Sequence, residues 1–206
     1  AIRRKTSAWP ALLLILKNRP LLACLVATLG CCLGYGMFVT FMPLYMKGMR
    51  MHTVQVGYVF TAQALANAVS RLPTGRLSDR INNKGGLIGG GLLLFSLAMA
   101  ALAVSRSVTA LMLVAVFMGV GMGVAFTVIC AQIADLVPAE MRGLAVGCYN
   151  TCVYTGMMLS SVAMGPVIKL AGFAGAFVLN GIAGIVVLAL FTVLFRSKTR
   201  EACHPA

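Results

Sequence analysis

Residues 107–134 read SVTALMLVAVFMGVGMGVAFTVICAQIA, 28 consecutive positions without a charge, bounded by Arg106 and Asp135. A helix crossing about 30 Å of hydrocarbon needs roughly 20 apolar residues, so this stretch is long enough for one tilted crossing. Five more stretches of the same kind accompany it. They lie between Arg19 and Lys47 (27 residues), His52 and Arg71 (18), Lys84 and Arg106 (21), Arg142 and Lys169 (26), and Lys169 and Arg196 (26). The pattern predicts an all-α integral membrane bundle of six helices, near 20–46, 53–73, 86–105, 108–134, 141–169 and 171–195. A transmembrane barrel would instead alternate over segments of about ten residues. Backbone groups in lipid must then be satisfied within each helix.

Composition agrees. Of 206 residues, 60% are hydrophobic and 10% charged, too little charge to cover a soluble domain of this size. Six spans put both termini on one side. That side holds Arg3, Arg4, Lys5, Lys17, Arg19, Arg71, Arg76, Arg80, Lys84, Arg142, Arg196, Lys198 and Arg200, against Lys47, Arg50, Arg106 and Lys169 opposite. The split of 13 to 4 makes the first side cytoplasmic. The net charge of +13 is therefore a topology signal and an attraction to anionic lipid, not a nucleic-acid surface, because the basic residues are divided among separate loops.

The organisation that follows is a cytoplasmic linker, 1–19, with a short interfacial helix around Trp9; a bundle, 20–195; and a cytoplasmic tail, 196–206. Ala11–Leu16 is too short and too soon broken by Lys17 to be a signal peptide. Pro43, Pro73 and Pro166 are expected near span ends, where a lost hydrogen bond is least costly. Seven cysteines make no disulfide framework. Cys31–Cys32 and Cys148/Cys152 have no His or carboxylate beside them in the membrane, so they read as small packing residues and no metal or cofactor is expected. Gly119, Gly121 and Gly123 lie mid-span without the strand a nucleotide loop needs, and serve close helix approach.

Polar residues within the spans are unequally shared. Gln63, Asn67 and Ser70 fall on one face of the second span, and Asn150, Tyr154 and Ser161 on one face of the fifth. The first span offers Thr28, Tyr35 and Thr40, and the fourth Thr127 and Gln132, whereas the third and sixth offer little beyond Ser96 and Asn180. Spans one, two, four and five are thus expected inside, with three and six facing lipid; the plain alternative is hydrogen bonding between helices. Tyr35, Gln63, Asn67, Thr127, Asn150, Tyr154 and Met158 are the candidate cavity residues. All four acids, Asp79, Asp135, Glu140 and Glu201, lie on the cytoplasmic side, which argues against intramembrane catalysis.

Between the second and third spans, Gly75–Lys84 reads GRLSDRINNK. This resembles the Gly-x-Leu-Ala-Asp-Arg-x-Gly-Arg-Lys signature of the Major Facilitator Superfamily, with Asn82 and Asn83 replacing the usual Gly and Arg. Asp135–Gly143 resembles that family's related Asp-x-x-Pro-x-x-x-Arg-Gly loop, and Asn18-Arg19-Pro20 its entry into a second half. The resemblance implies the C-terminal half of a twelve-helix transporter, built from two inverted three-helix repeats and docked on an N-terminal six-helix half. It implies a bacterial cytoplasmic membrane and alternating access, with Gly75, Arg76, Asp79, Arg80, Lys84, Asp135 and Arg142 as a cytoplasmic gate. The alternative for Arg76, Arg80 and Lys84 is that they are topology anchors alone. The expected function is secondary active transport, not enzymology, of a small amphipathic or weakly polar molecule. Efflux comes first, with metabolite uptake or a non-transporting truncated partner as alternatives. If transport is coupled to protons, their titrating group is expected in the other half.

Overall fold

The computed structural model describes residues 18–81 and 84–201, with side chains to residue 195. The interfacial helix expected near Trp9, the pair Asn82–Asn83, Cys203 and His204 lie outside the described residues. The fold is all-helical among the described residues: α1 (Arg19–Gly48), α2 (Thr53–Arg80), α3 (Lys84–Leu102), α4 (Val108–Leu136), a 3-10 turn (Ala139–Met141) and α5 (Arg142–Glu201). Inside α5, Gly172 leaves helical geometry with φ 69° and ψ 176°, dividing it into arms 142–171 and 173–201. Glycine supplies that positive φ without a Cβ clash.

Local chemistry sets the ends. Pro20 opens α1 in its first turn, where its missing N–H costs nothing. Gln55 accepts from the His52 N–H at 2.9 Å, and Ser107 Oγ accepts from the Ala110 N–H at 3.2 Å, satisfying donors at the starts of α2 and α4. At the end of α1, Arg50 stands in the left-handed region (φ 59°). Its N–H bonds to the Lys47 carbonyl and the Met51 N–H to the Met46 carbonyl, the pairing that usually calls for glycine.

Two boundaries differ from the sequence reading. The second helix was expected to stop at residue 73, yet α2 continues to Arg80 with Pro73 inside it. Pro43 and Pro166 also lie within helices. Consequently most of the Gly75–Lys84 motif belongs to the C-terminal end of α2, not to a free loop.

Close contacts give the directions of the helices. Gly119 of α4 sits against Gln63 and Ala66 of α2, and Gly123 against Asn67 and Ser70, so these helices run parallel. Gly91 of α3 meets Ala125, and Phe95 meets Gly121, so α3 is antiparallel to α4. The first arm of α5 runs parallel to α1: Gly156 touches Leu29 and Cys32, Met157 and Ser160 touch Gly36, and Ser161 Oγ lies 3.1 Å from Thr40 Oγ1. The second arm runs the other way, with Asn180 against Gly34 and Val187 against Gly30. The chain therefore reverses at Gly172. This second arm also lies antiparallel to α3, where Gly181 meets Ala100 and Gly85 meets Phe195.

The core forms around α1 and α4, where Phe38, Met37, Met42, Met118 and Ile129 are essentially inaccessible. The helices α1, α3, α4 and α5 are long and apolar enough to cross a membrane; α2 falls short.

Replacing Gly119 with Val would drive a Cβ into the Gln63 backbone, which cannot move aside as a side chain can. Overpacking of this kind costs about 1–3 kcal/mol. Gly119→Val should lower the midpoint of heat-induced loss of monodisperse protein in detergent, whereas Gly90→Ala, with nothing within 4 Å, should leave it unchanged. Equal midpoints for the two variants would show that α2 and α4 do not meet at Gly119.

Candidate functional site

The expected cavity residues do not converge on one closed pocket. Gln63 is buried between α2 and α4, its Nε2 3.9 Å from Met122 Sδ. Asn67 is half-buried one turn further on, and its carbonyl accepts from Ser70 Oγ at 2.9 Å. Tyr35 and Thr127 are half-buried, with the Tyr35 ring stacked on Phe38 at 6.3 Å. Asn150, Tyr154 and Met158 lie on an open face of the first arm of α5, where Tyr154 is 71% exposed. The structure thus brings Gln63, Asn67 and Met122 together and leaves the α5 set facing outward. Thr28 and Ser96 spend their hydroxyls on carbonyls one turn back in their own helices.

Of the helices expected inside, α1 and α4 hold the core and form a floor between the other two. α2 packs chiefly on α4, and the first arm of α5 on α1. Both flanking elements keep exposed faces, including Leu65 and Leu72 on α2 and Val162 on α5. An apolar groove of about 480 Å³ runs along α2 and α4, lined by Tyr58, Leu65, Val69, Met112 and their neighbours. It contains none of the expected polar residues, so it reads as a helix-packing groove. Phe126 of α4 and Tyr149 of α5 meet edge to face at 6.2 Å across the floor.

At the end of the bundle where α2 stops and α3 starts, one ion pair is made among the described residues. Lys84, at the start of α3, bonds Asp135 near the end of α4. Asp79, Arg76, Arg80 and Arg142 are exposed, and Asp79 makes no ion pair among the described residues. Beside Asp79, the Ser78 hydroxyl is buried without a hydrogen-bond partner among the described residues, as is Ser160 on α5. An unmade buried hydrogen bond costs about 1–3 kcal/mol, so these two hydroxyls favour any rearrangement that supplies a partner.

One functional candidate escapes the sequence reading. Arg71 was grouped with the cytoplasmic charges because it ends a charge-free run. The register places it elsewhere. α4 carries no charge from 107 to 134, so its middle, near Val120 and Gly121, marks the middle of the hydrocarbon layer. Gly123 packs on Ser70, so the backbone of Arg71 lies about 5 Å from that depth, well inside the layer. Its Nε donates to Asn67 Oδ1 at 2.8 Å, one turn towards the α2 N-terminus. The side chain is therefore not reaching for the near interface as a lipid-facing arginine would. A charge near the bilayer centre costs about 2.5–3.5 kcal/mol on insertion scales. Arg71 must accordingly face protein, water or a counter-charge. The only sequence-level signal for this depth was the low hydropathy of α2.

A family profile of the Major Facilitator Superfamily matches residues 24–204. The chain belongs to the Major Facilitator Superfamily, a family of transporters, and is an integral membrane protein. It is 31% identical over 153 residues to the uncharacterized MFS-type transporter Rv1250 of Mycobacterium tuberculosis, covering 74% of this chain and 26% of that protein. It is 27% identical over 166 residues to multidrug resistance protein 2 of Bacillus subtilis, covering 81% of this chain and 40% of that protein. Quinolone resistance protein NorA of Staphylococcus aureus matches at 28% over 127 residues, 62% of this chain and 32% of that protein. The chain thus spans between about a quarter and two fifths of the length of these relatives.

The Lys84–Asp135 pair can be tested by exchanging its charges. Asp135 is 58% exposed and Lys84 19%, so solvent screens the pair and its coupling should fall in the range of about 0.2–1 kcal/mol. Asp135→Lys and Lys84→Asp alone should each lower stability in a thermal unfolding series. The double exchange should recover part of the loss, and purely additive losses would show that the contact is incidental.

Proposed function

We propose that this chain is the C-terminal half of a secondary transporter that exports small amphipathic molecules by alternating access. In this reading the two arms of α5 are the fifth and sixth crossings, which makes six in all. Helices α1, α2 and α3 form one repeat, and α4 with the two arms forms the other, in inverted order. The helix contacts support this. Exchanging α1 with α4, α2 with the first arm and α3 with the second arm turns the α2–α4 contact into the α1–first-arm contact, and the α3–α4 contact into the α1–second-arm contact.

The observation that carries the functional reading is the pair of flanking elements, α2 and the first arm of α5, whose open faces bear polar residues on either side of the α1–α4 floor. A half-transporter needs such a surface, because the N-terminal half must close it while substrate passes between. Residues 1–19 would be the linker from that half and 196–206 a tail, both cytoplasmic, in a bacterial cytoplasmic membrane. Efflux is favoured over uptake because two of the relatives carry resistance names, one for multiple drugs and one for quinolones. If export is driven by protons, the titrating group belongs to the N-terminal half, since Asp79, Asp135, Glu140 and Glu201 cluster at helix ends.

The alternating step would use the cytoplasmic polar set. With Lys84 bound to Asp135, and Asp79 and Arg142 open, one state is latched across α3 and α4. Rocking of the halves would break some of these contacts and make others, and a two-state change needs only such differential contacts.

Reconstituted in proteoliposomes, the intact protein should show saturable, counterflow-accelerated flux of amphipathic dyes. A non-saturating leak would instead indicate a channel, and no flux would indicate a non-transporting partner. Asn67→Ala, Asn150→Ala and Tyr154→Ala should change the ratio of rates between two dyes several-fold, in the range that pocket contacts discriminate, at unchanged yield of folded protein. Uniform loss of folded protein in all three would reassign these side chains to packing.

A further inference from the structure

The depth of Arg71 leads further, and the step rests on the transporter reading. A guanidinium presents five N–H donors in a planar fork that matches a carboxylate. Among the described residues the Arg71 guanidinium makes one hydrogen bond, from Nε to Asn67 Oδ1. Both terminal amino groups of the fork stay open, and the side chain is exposed. Asn67 fixes the plane of the fork, so less ordering is left for a ligand to impose.

The counter-charge does not come from the described chain. Asp79 lies eight residues along α2, about 12 Å further towards the cytoplasmic end. Asp135 lies twelve residues beyond Gly123 in α4, about 18 Å away, and is already held by Lys84. Glu140 sits past the end of α4 in the turn before α5. Tyr149 of the first arm of α5, which meets Phe126 of α4 edge to face at 6.2 Å, lies within electrostatic range of the guanidinium. An anion bound at Arg71 would thus have a cation on one side and an aromatic pair nearby. This suits a carboxylate attached to an apolar or aromatic body.

We propose that Arg71 is the substrate-charge site of this half, taking the carboxylate of the transported molecule within the membrane, with Asn67 as its positioning residue. Arg76 and Arg80, on the same helix but at its cytoplasmic end, do not share this role.

The test uses phenylglyoxal, which modifies free guanidinium groups, on the intact protein in proteoliposomes, with labelling at Arg71 followed by mass spectrometry. Sodium benzoate at several times its dissociation constant should slow labelling of Arg71 about five-fold, and benzamide should not. Arg76 and Arg80 should label equally in both. Asn67→Ala should weaken the protection while Arg71 remains reactive. Equal labelling with benzoate and benzamide would overturn the proposal. So would an Arg71 that is unreactive until the protein is denatured, which would mean that an acidic side chain of the N-terminal half already occupies it. Dye counterflow measured on the same vesicles separates the two readings. If flux persists without benzoate protection, only the carboxylate site fails; if flux is absent, the transporter reading fails as well.

Discussion

Everything in this bundle depends on how closely α4 can be approached from two sides at once. Gly119 and Gly123 admit the backbone of α2, and Gly121, between them, admits the backbone of α3. Lipid offers no hydrophobic drive for helices to associate, so the contact must come from packing at short range. A single alternating run of glycine therefore seats two neighbours in opposite directions. α1 is also approached at its glycines: Gly30 receives the Val187 side chain of the second arm of α5, Gly34 the side chains of Phe95 and Asn180, and Gly36 the backbone of the first arm. Both central helices are thus approached at glycines from more than one side, as a pair of inverted repeats would require.

That arrangement explains why the flanks are polar and the outer helices are not. Once α4 holds α2 on one side and α3 on the other, α2 is left with a wide exposed face, and the same holds for the first arm of α5 beside α1. A helix with one protein neighbour and one open face can carry Asn67, Arg71, Asn150 and Tyr154 only if that open face is not lipid. α3 and the second arm touch each other as well as a central helix, and their exposed residues, such as Leu93, Leu97, Ile182 and Val186, are uniformly apolar. The division between inner and outer helices, legible from the sequence by counting hydroxyls and amides, has its cause in this packing.

Spacing between charges made the long apolar helices legible, and it failed where charge and depth part company, at Arg71. The run ending at Arg71 reads as a short crossing because the rule takes every charge as an interface. The register against α4 shows otherwise, and no pattern within α2 alone could have revealed it. Pro73 misled in the same direction. It reads as a helix end, but α2 continues through it, where Thr74 Oγ1 meets the Ser70 carbonyl at 2.6 Å. Beyond it, Gly75 to Arg80 became a helical turn. The expected gate set could be named by residue type, but its pairing could not. Asp79 stands open, while Lys84 and Asp135 close on each other. Pairing depends on where helix ends fall in space, which a single sequence does not encode locally.

The low hydropathy of α2 joins these strands. Four helices satisfy the length and apolarity needed to cross a membrane, and α2 alone does not. An isolated α2 would pay for Gln63, Asn67, Arg71 and Arg76 with little apolar surface in return. It is held in place by α4, through contacts that need no apolar side chain because they are made by glycine against backbone. The close packing at Gly119 and Gly123 thus does two things at once. It anchors a helix that lipid would not favour, and it leaves the Arg71 side of that helix exposed.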